Sequence, residues 1–366
     1  MATIKEVARM AGVGTGTVSR VVRGKGSVSA DKLERVRQAI ETLGYRPSHT
    51  ARSLLYGRSR MIGVYIPMLA GTFYTAILQI IDTELRAAGL HMMMGFGTGT
   101  SSGAGTGRAR QDAVEGVNLL FARGCDGVIV LTSALQEEDL ALFGAHGKRL
   151  VALNHALGSI PEQCFTVDHV LGGRLAARAL LDHGHREIAV LGGPTAVQDN
   201  VDRIGGFLRE LEGAGIDTGA MWVSEHDFSS SAGWAGAQAL LASGTRFSAL
   251  FCANDEMALG AISCFYEAGI HVPRDVSVVG YDDTPSAAYA APPLSSVRIP
   301  WREMTASGVA QLLNLCDGGS RQVVRSFEVS LALRASVGRV RPKGRRGAKQ
   351  SPGSPPSIRS GGSAAA

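Results

Sequence analysis

Hydroxyl, small and basic residues gather in one short stretch near the start of the chain. They are Thr15, Gly16, Thr17, Ser19, Arg20 and Arg23. Valines at positions 18, 21 and 22 alternate with them at helical spacing, so one face of a short helix is apolar and the remaining surface carries these residues. Hydroxyl and guanidinium groups bind phosphate oxygens and base edges. The stretch therefore has the chemistry of a helix that reads the major groove of double-stranded DNA.

Two further helices are predicted to hold this helix in place. Thr3 and Glu6 have the spacing of a capping box, in which each side chain accepts a hydrogen bond from the other residue's backbone. An apolar stripe at helical spacing follows them, and Gly12 is suited to the left-handed conformation that ends a helix. A third amphipathic helix is predicted from Asp31 to Leu43. The sequence thus predicts an all-α helix-turn-helix head over residues 1–46.

Basic residues are concentrated at the two ends of the chain. Residues 1–60 carry 12 Lys and Arg against 4 Asp and Glu, and residues 339–366 carry 7 against none. Because the whole chain has a net charge of +5, the region between these ends is acidic, at −10. A basic first segment suits a surface that meets phosphates. The last segment is rich in Gly, Ser and Pro, lacks an apolar face, and is predicted to be a disordered basic tail.

From residue 61 onward, short β-branched runs alternate with helical stretches, which is the pattern of βαβ units. The predicted strands are MIGVYIP, HMMMGF, GVIVLT, RLVALN, CFTVDH, EIAVLGG, MWVSEH, ALFCAN, VSVVGYDD, SSVRIP and SFEVSLALR. A long connection between the fourth and fifth divides them, and the last two are predicted to return across that division. The α/β body at 61–338 is therefore predicted as two doubly wound parallel-sheet sub-domains, 61–162 with 292–322 and 163–291 with 323–338.

Four polar residues follow strands of the predicted sheets. Asn154, Asn254 and Asp282 each end a strand, and Arg203 lies in the helix after EIAVLGG. Each one alone is often a cap or turn residue, but ligands of doubly wound sheets bind at the carboxyl ends of the strands. Amides, carboxylates and a guanidinium group suit the vicinal hydroxyls of a polyol. The sequence thus predicts a small-molecule site at these strand ends.

Other reactive residues do not have the spacing of a catalytic or cofactor site. The five cysteines lack C-x-x-C or His-paired spacing, and the glycine clusters near residues 12–16 and 95–99 do not form the G-x-G-x-x-G fingerprint of a dinucleotide enzyme. We therefore expect neither catalysis nor a cofactor or metal. No signal peptide and no run of about 18 apolar residues is present, so we expect a cytoplasmic protein without membrane contact.

The first 54 residues resemble the LacI/GalR family of bacterial transcriptional regulators. The family pattern TIKDVAxxAGVSxxTVSRVLN…VSxxTRxRVxxAIxxLGYxPNxxARSL is matched almost without gaps from Thr3 to Leu54. The resemblance implies a hinge helix at 47–60 that folds on DNA in the minor groove. There Arg52 adds positive charge, and Leu54 is wedged into a central C-G step and kinks the duplex.

The same resemblance assigns roles within the head. It places Thr15, Gly16 and Arg20 at base-reading positions, and Thr17 and Ser19 at phosphates. Arg23 replaces the usual asparagine and is expected to add phosphate affinity rather than sequence choice. Gly16 brings no side chain to its reading position, so the half-site is expected to be read less sharply there.

The body resembles periplasmic sugar-binding proteins of the ribose-binding type up to about Val337. This resemblance aligns Phe73 or Tyr74, and Phe228, with aromatic residues that face the ligand ring, beside the four polar residues above. Gly71-Thr72 and Asn154-His155 replace the usual Asn-Pro and Asp-Arg, so fewer charges face the ligand. Similarity to the galactose- and β-glucoside-responsive branch favours a neutral hexose or glycoside as effector. A purine is the alternative.

The resemblance implies a homodimeric regulator whose two heads read a near-palindromic operator. Effector binding would close one sub-domain on the other and change operator affinity, with repression as the default. A transport binding protein is the alternative from a different class, since it shares the body. It would carry a secretion signal in place of the basic head, so the sequence favours the regulator.

Overall fold

The computed structural model describes residues 2–23, 28–45, 58–69, 71–97 and 106–340. Its helices are α1 Ile4–Met10, α2 Thr15–Arg23, α3 Ala30–Leu43, α4 Gly71–Ala87, α5 Thr106–Ala122, α6 Asp139–Leu142, α7 His169–Leu181, α8 Gln198–Gly213, α9 Ser230–Ala242, α10 Asp255–Glu267, α11 Pro285–Tyr289 and α12 Trp301–Asp317. Its strands are β1 Met61–Ile66, β2 His91–Phe96, β3 Gly127–Val130, β4 Leu150–Leu153, β5 Cys164–Phe165, β6 Ile188–Gly192, β7 Val223–Glu225, β8 Ala249–Cys252, β9 Ser277–Asp282, β10 Ser295–Arg298 and β11 Ser330–Ala332.

The head is the predicted all-α helix-turn-helix. The capping box begins α1, where the Thr3 backbone N–H donates to Glu6 Oε2 at 2.7 Å and the Glu6 N–H donates to Thr3 Oγ1 at 3.3 Å. Gly12 ends the turn after α1 with φ of 60°. One small apolar core joins all three helices, and Val18 of α2 is fully buried in it. The opposite surface of α2 is therefore held outward.

The body consists of two sheets, as predicted. The first has the strand order β2-β1-β3-β4-β5 and its strands are parallel. The second has the order β11-β10-β9-β8-β6-β7, with β11 antiparallel to its neighbour. Strands β3, β4 and β8 are buried along their whole length, as expected for parallel strands covered by helices on both faces.

The predicted division of the body into sub-domains is wrong at two strands. Strand β5 at 164–165 was expected to open the second sub-domain, but it pairs with β4 of the first sheet. Strand β10 at 295–298 was expected in the first, but it pairs with β9 of the second. A short buried strand has the same local pattern whichever sheet it joins, so only the pairing decides. Helix α12 packs on α4, β3 and β4, and so belongs to the first sub-domain.

Glycines allow two pairs of helices in the second sub-domain to pack backbone against backbone. A Cβ at Gly173 of α7 would lie 1.9 Å from the Arg203 carbonyl oxygen of α8. A Cβ at Gly260 of α10 would lie 1.9 Å from the Ser230 carbonyl oxygen of α9. The close contact between α7 and α8 therefore fixes the distance of Arg203 from the second sheet.

Several predictions fall on residues that the structure does not describe. Arg52 and Leu54 lie outside the described residues, as do most of the predicted hinge at 47–60 and of the tail at 339–366. In the described part of the chain, no helix is both long and apolar enough to cross a bilayer. Within the same ranges, no group of three or more His, Cys, Asp or Glu side chains is placed to hold a metal ion.

Candidate functional site

The surface of α2 presents the residues predicted to meet DNA. Thr15, Gly16 and Arg20 are exposed, whereas Thr17 and Ser19 are half-buried. Around Gly16 there is open space, since a Cβ there would have no heavy atom within 4 Å. The Arg20 Nε–H donates to the Gly16 carbonyl oxygen of its own helix at 3.3 Å. Arg23 ends α2, and the description does not extend to its side chain.

All seven residues predicted to face a ligand line one cavity of about 770 Å³ between the two sub-domains. They are Phe73, Tyr74, Asn154, Arg203, Phe228, Asn254 and Asp282. Three of them have backbone angles in the left-handed region, with φ of 58° at Asn154, 70° at Phe228 and 99° at Asp282. Such angles are costly outside glycine and concentrate at functional sites. The strand ends thus direct these side chains into one space.

Arg203 is the centre of the cavity's polar side. It is 3% exposed, and its guanidinium group donates to Asp199 Oδ2 at 2.9 Å and to the Ala253 carbonyl oxygen. The guanidinium carbon also lies 4.2 Å from the centre of the Tyr281 ring, a cation–π contact. Burial lowers the pKa of Arg203, but the charges of Asp199 and Asp282 outweigh it and raise that pKa. The guanidinium group is therefore charged and held rigidly.

Asp282 presents a carboxyl group without a local partner. It is 6% exposed, and no hydrogen bond or ion pair engages its carboxyl oxygens within the part of the chain that the structure describes. Burial raises the pKa of Asp282 well above its usual value, against the opposing charge of Arg203. The carboxyl group lines the cavity, where the hydroxyl groups of a ligand can form hydrogen bonds with it.

Asn254 both caps helix α10 and lines the cavity. Its Oδ1 accepts the Met257 N–H at 2.9 Å as the cap of α10, and its Nδ2 donates to the Phe228 carbonyl oxygen at 2.9 Å. A Cβ at Gly193 would lie 2.1 Å from the Phe228 ring, so glycine leaves room for that ring. Asn254 thereby positions an aromatic face in the cavity.

Sequence reasoning missed Trp301, which lines the cavity at the start of α12. Phe73 makes edge-to-face contacts with both Tyr74 and Trp301, each at 4.9 Å between ring centres. The Trp301 Nε1 atom is buried without a hydrogen-bond partner among the described residues. Its position at the start of the first helix after β10, where the chain returns from the second sub-domain to the first, was the available signal.

Sequence reasoning also missed two carboxylates that connect the sub-domains. Glu256 of α10 accepts hydrogen bonds at 2.8 Å from both the backbone N–H and the hydroxyl of Thr72, at the start of α4. Burial raises the pKa of Glu256, but hydrogen bonds from Ser230 and Thr72 outweigh it and lower that pKa. Asp199 of α8 accepts from Asn154 Nδ2 at 2.6 Å. Asp199 was identifiable from its position four residues before Arg203.

Comparisons with known proteins match both the helix-turn-helix head and the two-sheet body. The family "Bacterial regulatory proteins, lacI family" matches residues 3–48, and "Periplasmic binding protein-like domain" matches residues 177–337. The HTH-type transcriptional regulator AscG of Escherichia coli (strain K12) is 30% identical over 92% of this chain and 98% of its own.

Two solved structures are similar over nearly the whole chain. The lac repressor dimer bound to operator and the anti-inducer ONPF has a TM-score of 0.75 and 29% identity, covering 92% of this chain and 99% of its own. The complex of the transcriptional regulator CelR with cellobiose has a TM-score of 0.63 and 31% identity, covering 92% and 100%.

A helix-turn-helix head joined to a two-sheet body around a ligand cavity defines a class of protein, the DNA-binding transcriptional regulators that respond to small molecules. Since the head matches the family over residues 3–48, the alternative of a transport binding protein is not favoured. The chain belongs to the LacI family of bacterial regulatory proteins. The predicted family and fold are both confirmed.

Proposed function

We propose that the effector is a neutral sugar, a hexose or a glycoside, bound in the 770 Å³ cavity. The observation that carries this proposal is the Asp282 carboxyl group, which lines the cavity and receives no hydrogen bond from the described residues, beside the rigid Arg203–Asp199 pair. Vicinal hydroxyls donate to carboxylates and accept from a guanidinium group. The C–H face of a sugar ring packs on aromatic side chains such as Phe228 and Trp301. The CelR complex with cellobiose gives a related example.

A purine is the second candidate effector. The aromatic lining favours it, because Phe73, Phe228 and Trp301 offer faces and edges to a flat ring. A purine, however, has fewer hydroxyl donors for Asp282. The sugar therefore accounts for more of the cavity.

We further propose that the chain acts as a homodimeric repressor that reads a near-palindromic operator in the cytoplasm, without catalysis or a cofactor. Thr15, Gly16 and Arg20 approach base edges, and Thr17, Ser19 and Arg23 contact phosphates. In the hinge, Arg52 and Leu54 enter the minor groove. The lac repressor dimer on its operator supports this arrangement by its similarity over 92% of the chain.

In this proposal the head spans 1–46 and the hinge 47–60. The first sub-domain then comprises β1 to β5 with α12, and the second comprises α7 to β10 with β11. A sugar binds one closure of the two sub-domains more tightly than another, and so shifts the population between them. The spacing of the two hinges, and with it operator affinity, changes accordingly.

Selection from a randomised duplex pool tests the DNA-reading half of the proposal. We expect enrichment of a near-palindrome with a central C-G step, and affinity that falls with salt at a slope of roughly −0.9 per phosphate contacted. Leu54→Ala should weaken binding to the selected duplex far more than binding to random DNA. Equal losses on both DNAs, or affinity independent of salt, would contradict the assignment.

A calorimetric screen tests the effector half. D-galactose, D-glucose, cellobiose, salicin and hypoxanthine are titrated into the purified protein, and the operator affinity of each mixture is measured. We expect one of the sugars to bind and to change operator affinity, and Arg203→Ala to abolish that response. Arg209→Ala, on the exposed face of the same helix, is the control and should respond normally. Binding of hypoxanthine alone would establish the purine instead.

A further inference from the structure

Behind the cavity lies a closed circuit of polar contacts. His169 Nε2 is 2.7 Å from Asn154 Oδ1, and His169 Nδ1 is 3.1 Å from the Tyr281 hydroxyl. Asn154 Nδ2 donates to Asp199 Oδ2 at 2.6 Å, and Arg203 donates to the same oxygen at 2.9 Å. The Tyr281 ring, under the Arg203 guanidinium group at 4.2 Å, closes the circuit. Asn154 comes from the end of β4, whereas the other members belong to the second sub-domain.

The protonation state of each member follows from its neighbours. Asp199 as a carboxylate only accepts, so Asn154 must turn its NH₂ group toward it and its Oδ1 toward His169. His169 must then carry its proton on Nε2 and donate to that oxygen. Its Nδ1 is left as an acceptor for the O–H of Tyr281, whose pKa burial raises. His169 therefore has one tautomer, neutral with the proton on Nε2.

The structure makes room for this arrangement. A Cβ at Gly172 would lie 2.1 Å from the Tyr281 hydroxyl, so glycine at this position of α7 allows the hydroxyl to reach His169. His169 is 6% exposed, and Tyr281 is fully buried. Neither residue lines the cavity, whereas Asn154, Asp199 and Arg203 all do. His169 thus reaches the cavity's polar side through the hydrogen bond to Asn154, and through Tyr281, whose ring lies under Arg203.

We propose that His169 is a positioning residue that sets which hydrogen-bonding groups the cavity offers its ligand. Asp199 sets the orientation of the Asn154 amide, and His169 holds that orientation through Asn154 Oδ1, so that the Asn154 NH₂ group faces Asp199 on this side of the cavity. A sugar hydroxyl is matched where it donates to Asp199 and accepts from Asn154 or Arg203. The inference rests on the proposed function, because it concerns the ligand of the same cavity.

The first experiment concerns the circuit itself and needs no ligand. Long-range ¹H–¹⁵N spectra of the full chain with labelled histidine should show His169 as the neutral Nε2–H tautomer, with exposed His91 as a reference in the same spectra. Asn154→Asp should place a second carboxylate against His169 Nε2 and raise its pKa by more than about one unit. A mobile tautomer in the wild type, or an unmoved pKa in the variant, would overturn the proposal.

The second experiment compares two matched substitutions. His169→Gln places an amide nitrogen where Nε2 lies and keeps the bond to Asn154, whereas His169→Asn reaches only toward Tyr281. Of the four sugars in the screen, the one that binds the wild type best should bind His169→Gln within about threefold, and His169→Asn about tenfold more weakly. Thermal unfolding of each variant is recorded beside the calorimetry.

A merely structural histidine would give equal losses of affinity in the two variants, following their melting temperatures, and that result would overturn the proposal. If none of the four sugars binds the wild type, the proposed effector class fails. The positioning role is then decided by the tautomer and by the Asn154→Asp titration.

Discussion

Thr15, Gly16 and Arg20 lie exposed on α2, and among the described residues the Arg20 side chain donates only to its own helix. Around the cavity, by contrast, Arg203 and Asn154 are held by several partners each. The two regions also differ in charge, since the head segment is basic and the body acidic. The cavity is therefore organised before its ligand arrives, which lowers the entropy lost on binding. In the proposed function, the surface of α2 must order its side chains on the duplex.

The largest expected effect comes from breaking the organisation of the cavity at a glycine. Gly173→Ala would force a Cβ to within 1.9 Å of the Arg203 carbonyl oxygen, so α7 and α8 must separate. We expect a loss of about 4 kcal/mol in the free energy of unfolding, measured with urea. Sugar binding should fail along with it, because Arg203 moves.

Gly205→Ala is the matched control on α8. Its nearest heavy atom would be 3.8 Å away, so alanine fits and should stabilise the helix by up to about 1 kcal/mol. If Gly173→Ala proves as stable as Gly205→Ala, the close approach of the two helices does not hold Arg203.

The second prediction concerns pH and the circuit behind the cavity. Burial, and then the charge of Arg203, lower the pKa of His169 from 6.5 to about 4, against Asp199 and Asp168. Between pH 6.5 and pH 4 the His169 imidazole is protonated in the unfolded chain but stays neutral in the folded chain. The contribution of neutral His169 to the free energy of unfolding is therefore fully present above pH 6.5. It falls by about 3 kcal/mol as the pH is lowered to 4.

Urea unfolding of the wild type and of His169→Gln at pH 7.5 and pH 5 measures this contribution. The variant should lose less stability over the interval than the wild type. His91→Gln, at an exposed position of β2, should behave as the wild type does. Parallel pH profiles for the wild type and His169→Gln would show that His169 is not held neutral.

The third prediction concerns closure of the cavity. Glu256 accepts the Thr72 N–H, one of the free donors at the N-terminus of α4, from the opposite sub-domain. Glu256→Gln removes the negative charge at the N-terminus of α4 and replaces one accepting carboxylate oxygen with an amide NH₂ group, which donates. We expect about 1–2 kcal/mol lower stability and a larger radius of gyration by small-angle scattering.

Ser286→Ala provides the comparison for that contact. The Ser286 hydroxyl donates to Thr72 Oγ1 at 3.3 Å, across the same gap. Its loss should change stability by less than about 0.5 kcal/mol. A Glu256→Gln protein with the wild-type radius would mean that this contact does not hold the sub-domains together.

Part of the cavity could be predicted from the sequence, whereas the assignment of strands to sheets could not. Asn154, Asn254 and Asp282 were identifiable because the carboxyl ends of parallel strands meet at one edge, whatever the rest of the fold does. Strand order is not encoded in the local pattern, and for this reason β5 and β10 were assigned to the wrong sheets.

Glu256, Trp301 and His169 could not be found in this way. They lie at or near the starts of helices, and the direction in which such side chains point depends on how each helix packs on its sheet. Asn254 could be found because it ends a strand, although it is also the cap of α10. A cap residue at a strand end therefore need not be only structural. The roles of Arg52 and Leu54 stay predictions from the family pattern.

The smallest expected effect concerns the helix-turn-helix head. Gly16 is the second residue of α2 and has open space around it, so Gly16→Ala should stabilise the helix by up to about 1 kcal/mol without a clash. If the DNA-reading surface orders on the duplex, a more rigid helix should raise operator affinity of the full chain a few-fold. The dependence of affinity on salt should not change, because no phosphate contact is added.

Gly14→Ala separates rigidity from the mere presence of a methyl group. Gly14 also has open space around it, but it precedes α2 at the cap position, where alanine is poorer than glycine. Fluorescence anisotropy on the selected duplex should therefore give effects of opposite sign for the two variants. Equal gains would mean that apolar contact with DNA matters more than helix order. Equal losses would mean that the duplex backbone approaches both glycines too closely for a side chain.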